Sequence, residues 1–157
     1  ANFHGIGTGY PAAQDILKHV VDKGKSQVKG RSRVGENLYM RGVFNSVLIA
    51  EAIRTAQGKF GNRVINGEEM RWGMENLHLT SARMAEIGLP GFTNPIKVSC
   101  DDHANNGPVY IQQWNGTSWE RVSGWINSMD RVRPMLEKAA AGYKAKNSVP
   151  DRTIPCS

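Results

Sequence analysis

Gly35-Glu36-Asn37-Leu38-Tyr39-Met40-Arg41-Gly42-Val43-Phe44-Asn45 runs straight into residues 46–56, and how this stretch is read decides the fold. Between 43 and 53 nearly every side chain is apolar, small or both. That pattern predicts a buried helix over residues 46–56 with Tyr39 standing just ahead of it. An aromatic at the mouth of a buried helix either packs or lines a ligand pocket, and on these residues alone both readings stand.

Working outward, the whole chain of 157 residues is 39% hydrophobic and 22% charged, the balance of an ordinary globular protein able to bury a core. Asn45, Ser46 and Glu51 interrupt the apolar run, which is too short for a membrane span. Ala1-Asn2-Phe3-His4 lacks the basic head and apolar segment of a signal peptide, and an initial Ala reads as a mature, processed or excised product. The formal charge of +6 raises the question of nucleic acid. However, the basic cluster Lys23, Lys25, Lys29, Arg31 and Arg33 lies in a Gly/Ser-containing connector with no interleaved aromatics, so a solvated loop is expected and nucleic-acid binding is not.

Cys100 and Cys156 are far apart and sit in no metal-ligand or CxxC spacing. A thiol one residue from the end has little packing to do, so a disulfide pinning the tail is expected. It would imply an oxidising compartment and add about 2–4 kcal/mol of stability.

Taken in order, Asn2-Phe3 reads as the end of a strand, and His4-Gly5-Ile6-Gly7-Thr8-Gly9-Tyr10 as a sharp connector. Its G-x-G-x-G lacks the lysine of a phosphate loop and the spacing of a dinucleotide fingerprint, so no nucleotide or other cofactor is expected. Pro11 opens an amphipathic helix carrying Ile16, Leu17, Val20 and Val21, expected to lie on a sheet face and to stop at Gly24. Asn66 with Glu69 forms a capping box for a helix whose stripe is Met70, Met74 and Leu77. Trp72, beside that stripe, needs a hydrogen-bond partner if buried and faces either the core or a partner surface. Thr80 opens a further helix with Met84 and Ile87 inward, stopped by Gly88 and Pro90.

From Gly91 the pattern turns to β. Residues 96–100 and 109–114 alternate, Asn115-Gly116 is a hairpin turn, and residues 119–125 return. Pro134 then opens a helix with Met135, Leu136, Ala139, Ala140 and Tyr143. Between the strands, Asp101-Asp102-His103 is the one constellation with the look of chemistry, as a metal site or an acid–base pair, although adjacent residues converge poorly and Asp/Asn/Gly runs also build turns.

Phe3-His4-Gly-x-Gly, Gln14-Asp15-Ile16-Leu17-Lys18-His19, Leu38-Tyr39-x-Arg41-Gly42, Glu51-Ala52-Ile53-Arg54-Thr55-Ala56 and Gly67-Glu68-Glu69-Met70-Arg71-Trp72-Gly73 together resemble a branched-chain amino-acid-type ABC transporter substrate-binding protein. Gly91-Phe92-Thr93-x-Pro95-Ile96-Lys97-Val98-Ser99-Cys100-x-Asp102-His103 and Gln112-Gln113-Trp114-x-Gly116 extend the resemblance over nearly the whole chain. It implies an α/β fold, the C-terminal part of a two-lobe type I periplasmic-binding-protein fold, with a β-hairpin and a C-terminal helix. Residues 1–7 would be an interlobe crossover, 8–90 the remainder of the N-terminal lobe, 91–98 a second crossover, and 99–157 the remainder of the C-terminal lobe with helix and tail.

The resemblance also implies a non-enzymatic function: extracytoplasmic, periplasmic capture of an amino acid or related small organic acid between two lobes for an ABC importer. Tyr39 would be an aromatic ligand wall, Arg41 a carboxylate contact or a surface residue, and Phe3 and His4 would lie near the hinge. The partners would be a small-molecule solute, the membrane permease, and a missing N-terminal portion or second chain, without which the piece is not expected to fold independently. Two readings from other classes stand beside it. One is a small secreted α/β hydrolase using His103 with Asp101 or Asp102, and the other a basic module docking on acidic surfaces.

Overall fold

A computed structural model, which describes residues 7–103, 107–151 and 156, makes the central stretch one long helix, α2, over Asn37–Phe60. Glu36 is extended ahead of it, and Gly61, at φ +97°, ends it in a conformation that glycine adopts without strain. The helix therefore begins well before residue 46, and Tyr39 is part of its first turn instead of preceding it. Its buried side chains are Met40, Phe44, Glu51, Ala52 and Ala56, which the helical period gathers on one face. The expectation of a buried helix holds for one face, while Ile49 is 49% exposed on another.

The first helix, α1, spans Pro11–Ile16 and continues as a π-helical turn over Leu17–Val21, where the Asp22 amide donates to the Leu17 carbonyl at 2.9 Å. It buries Ala13 and Leu17, while Val20 stays exposed. No sheet among the described residues lies beneath it. Instead the Ala12 amide donates to the Gly88 carbonyl at 3.0 Å, and the Tyr10 ring meets Phe92 edge-on at 5.2 Å. The basic connector is a largely exposed loop with a 3-10 turn at Arg31–Arg33, and its charges are answered locally, Arg31 by Asp22 and Arg33 by Glu36.

Helix α3, Gly67–Glu75, carries the expected capping box. The Glu69 amide donates to Asn66 Oδ1 and the Asn66 amide to Glu69 Oε2, both at 2.9 Å. Its buried residues are Gly73 and Glu75, and of the expected stripe Leu77 is buried, Met70 half-buried and Met74 exposed. The Trp72 ring stands edge-on to Phe60 at 5.4 Å with Lys59 Nζ 4.2 Å above it. Its buried Nε1 has no acceptor among the described residues. Strand β1 (His78–Leu79) follows, then α4 (Ser81–Glu86), where Thr80 Oγ1 accepts from the Arg83 amide at 3.1 Å and Gly88, at φ +77°, turns the chain.

Strand β2 (Ile96–Lys97) pairs antiparallel with β1, and the Val98 amide donates to Leu77. Beyond it, β3 (Gln112–Trp114) and β4 (Trp119–Arg121) form a hairpin whose loop is four residues long. Asn115 Oδ1 receives the amides of Thr117 and Ser118, each at 2.8 Å, so the side chain of Asn115 organises the turn that the sequence placed at Asn115-Gly116. Last comes α5, Met129–Asn147, which starts five residues ahead of Pro134, so that Pro134 lies inside it.

The core is a cluster of Ala13, Met40, Phe44, Leu79, Met84, Leu89 and Phe92 from α1, α2, β1, α4 and the turn after it. After Phe92, the one buried apolar side chain among the described residues is Tyr110, whose ring packs edge-on against Trp125 at 4.9 Å with the Arg121 guanidinium 4.7 Å from the indole. The architecture is thus α/β in the general sense, rich in helix. The two-lobe type I fold is not borne out. Both ladders among the described residues are two-stranded and antiparallel, where such a lobe needs a parallel sheet sandwiched by helices.

Candidate functional site

Where α2, α3 and the β1–β2 ladder meet, they leave a cavity of about 410 Å³ lined by Leu48, Met74, Leu77, Ile96 and Val98, with Arg71, Glu75 and His103 as its polar edge. Helix α3 sets that edge, because Arg71 and Glu75 lie one turn apart. Arg71 donates through Nε to Glu75 Oε1 at 3.0 Å and through Nη2 to Oε2 at 3.4 Å. Glu75 is buried and receives a third contact, His103 Nε2 standing 3.2 Å from Oε1. A carboxylate can be buried here because the Arg71 guanidinium bonds it through two nitrogens.

His103 belongs to a turn, residues 99–103, closed by paired bonds between the backbones of Ser99 and Asp102 at 3.2 Å and by the Asp102 amide on Ser99 Oγ at 3.0 Å. Each side chain of that turn goes its own way. Cys100 is bonded to Cys156, with their Cα atoms 5.5 Å apart. Asp101 Oδ1 lies 3.3 Å from the sulfur of Cys156, which carries no proton in a disulfide. Asp102 accepts from Arg133 of α5 at 2.8 Å, and His103 reaches Glu75 on α3.

This geometry overturns the hydrolase reading. His103 is oriented by a carboxylate 28 positions away, and neither Asp101 nor Asp102 is its partner. Among the described residues, no group of three or more His, Cys, Asp or Glu side chains could hold a metal ion. What the turn does is join three parts of the chain, namely α3, α5 and the tail.

The disulfide expected from the two cysteines is present. Reducing it should release α5 and the tail while leaving the core of residues 11–97 folded, because almost nothing after Phe92 is buried. Limited trypsinolysis should then cut at Arg131 and Lys138 only after reduction, with a loss of about 2–4 kcal/mol in any transition that includes this segment. Equal cleavage with and without reductant would contradict this.

Tyr39 and Arg41 are not brought together. Tyr39 is half-buried at the rim of the core, between one shallow groove lined by Ile16, Leu38, Val43 and Val47 and another lined by Val28, Arg33 and Glu36. Arg41, two residues further along the helix, is exposed on a different side. Phe3 and His4 lie outside the described residues.

Two buried carboxylates escaped the reading of the sequence. Glu51 is 6% exposed and sits in a fork from Arg83, with Nη2 to Oε1 at 2.7 Å and Nε to Oε2 at 3.0 Å, while Arg54 Nε adds a third bond at 3.1 Å. The signal for Glu51 is an acid within an apolar run, which in sequence alone reads equally as a break in that run. Arg71 and Glu75, four apart, were legible as a helical ion pair, but Glu75's burial was not.

No family model and no curated protein matches the chain. Among solved structures it is similar to one described as an ABC transporter permease from the Pseudomonas fluorescens group, at 36% identity and a TM-score of 0.83 over 96% of this chain. It spans only 36% of that chain, a little over a third of its length. The resemblance to a substrate-binding protein is thereby corrected, since this similar protein is described as a permease. Solute capture between two lobes goes with it.

Proposed function

We propose that this chain is part of a component of an ABC transporter, in the permease role given to its structural neighbour. The observation that carries the reading is 36% identity sustained over 96% of the chain with a TM-score of 0.83. Since the chain corresponds to about a third of that neighbour, transport is a property of the whole protein and its assembly. None of the described helices is long and apolar enough to cross a membrane, so any helical span is supplied by other residues. The partners in this reading are the other subunits of the transporter, and a small-molecule solute is the cargo of the assembly and not a ligand held by Tyr39 and Arg41.

The reading assigns the chain no catalytic step of its own. What supports this is the fanning of Asp101, Asp102 and His103 toward separate partners. A periplasmic location belongs to the same proposal, and the Cys100–Cys156 disulfide favours it, because such bonds persist in oxidising compartments.

Co-isolation tests the reading. Natural protein tagged in its source cells and extracted in mild detergent should bring down an ATP-binding transporter subunit in fixed proportion. Recovery without any transporter subunit, under conditions that keep other ABC assemblies intact, would overturn it.

A further inference from the structure

Of the three side chains at 101–103, Asp101 is the one that joins no two elements. Asp102 is paired with Arg133 at 2.8 Å and His103 with Glu75 at 3.2 Å. Asp101 is exposed, forms no ion pair among the described residues, and holds Oδ1 3.3 Å from the sulfur of Cys156. That sulfur is bonded to Cys100 and has no proton to give, so the contact gains nothing from hydrogen bonding. Cys156 is exposed and Cys100 half-buried, which leaves their bond open to reagents in solution. A carboxylate with no described cation to answer it therefore stands beside a solvent-accessible disulfide.

A thiol opens such a bond through its thiolate, which attacks one sulfur while the other leaves. A bond forms to the attacked sulfur, the S–S bond breaks, and its electron pair departs on the other cysteine, which takes a proton from water. A second external thiol then displaces the first from the mixed disulfide, so that two external thiols are oxidised as the two cysteines are reduced. In the first step the negative charge is carried by the attacking and the departing sulfur. Attack on Cys100 sends that charge out on Cys156, next to Asp101, and attack on Cys156 brings the incoming thiolate up to the same carboxylate. Either way like charges are pressed together. We propose that Asp101 guards the Cys100–Cys156 bond, a fixed negative charge that slows thiolate attack on the clasp joining the tail to the 99–103 turn. The guard acts on rate. Near pH 7 the disulfide is neutral and the product thiols are largely protonated, so the balance between oxidised and reduced forms scarcely feels it. What it secures against exchange is the link among α3, α5 and the tail.

The test uses the oxidised protein at its natural length and three thiols, cysteamine, 2-mercaptoethanol and 2-mercaptoethanesulfonate, whose thiolates carry no net charge, one negative charge and two. Loss of the bond at pH 7 and low ionic strength is followed by alkylation and intact mass. In the parent, the rate per thiolate should fall in the order given. Asp101→Asn should speed reduction by mercaptoethanol about 3–10-fold, by the sulfonate more and by cysteamine least, and added salt should shrink the differences. Asp101→Glu, which keeps the charge, should stay close to the parent, and Asp15→Asn on α1 should change no rate. In a dithiothreitol redox buffer the parent and Asp101→Asn should reach the same ratio of oxidised to reduced protein. Rates unchanged by Asp101→Asn, or the same acceleration with all three thiols, would overturn the proposal. So would a shifted redox ratio, which would mean that the substitution loosens the turn instead of removing a charge from the path of the thiolate.

Discussion

Replacing Gly73 with alanine should lower the stability of the fold by about 3 kcal/mol, with a fall in Tm of roughly 10 °C. The sign is informative, because in a helix interior alanine ordinarily stabilises by about 0.5–1 kcal/mol relative to glycine. At Gly73 an added Cβ would lie 2.3 Å from the carbonyl oxygen of Ala52 and 3.0 Å from the Cβ of Ala56. Both belong to the buried face of α2, so α3 would have to lift off the helix that anchors the core. Gly58, on α2, is the control: an added Cβ there meets nothing within 4 Å, so Gly58→Ala should stabilise slightly. Thermal denaturation of the two variants checks the pair, and a Gly73→Ala variant as stable as the parent would show that α2 and α3 do not pack as described.

Glu51→Gln should cost about 2–4 kcal/mol, because it removes the charge that Arg83 and Arg54 converge on within a largely buried setting. The pH dependence follows from the same contact. The Arg83 guanidinium, more than any other group, holds the Glu51 carboxyl below its usual value of 4.5 against the opposing effect of burial. The lowered value means that the folded state releases this proton more readily than the unfolded state. The stabilisation is therefore present in full above the unfolded value, near 4.5, and lost as pH falls through the lower folded value. Urea denaturation between about pH 3 and 7 should show stability declining on acidification in the parent, and a shallower decline in the Gln variant. Identical slopes would mean that Glu51 does not carry the effect.

These two residues also show which parts of the molecule could be read from the chain. Chemistry confined to neighbours was legible. Asn66 and Glu69 announce their capping box, Thr80 starts α4, and Gly88 stops it, because each signal and its structural partner lie within a few residues. The disulfide was legible for a different reason, two cysteines with no other evident task. Which side of an element is covered was legible only in part: Met84 and Leu17 are buried as their spacing suggests, but other positions are not. The apolar composition of residues 43–53 points to a buried helix without saying which face is covered, and packing leaves Ile49 in solvent. His78–Leu79 was invisible as a strand, since two residues show no alternation and the partner lies across α4. Asp101-Asp102-His103 looked like a reactive cluster because the sequence places the three side by side, whereas the turn sends each to a different part of the molecule.

The resemblance read from the motifs points to a substrate-binding protein and a two-lobe fold, whereas the similar solved structure is described as an ABC transporter permease. Its motifs are spaced residues on helices and turns, and those specify local elements more strongly than the sheet that would organise a lobe. Among the described residues the structure has short antiparallel ladders in place of that sheet, and a protein similar in fold is described as a permease.

The most direct measurement of the central claim is transport itself. In source cells from which the gene has been deleted, ATP-dependent movement of at least one solute from a broad labelled panel should be lost, and restored by the natural gene. A variant carrying Gly73→Ala, tested at a temperature that unfolds this region, should restore it poorly. Unchanged flux for every solute after deletion, with the rest of the transporter intact, would contradict the assignment.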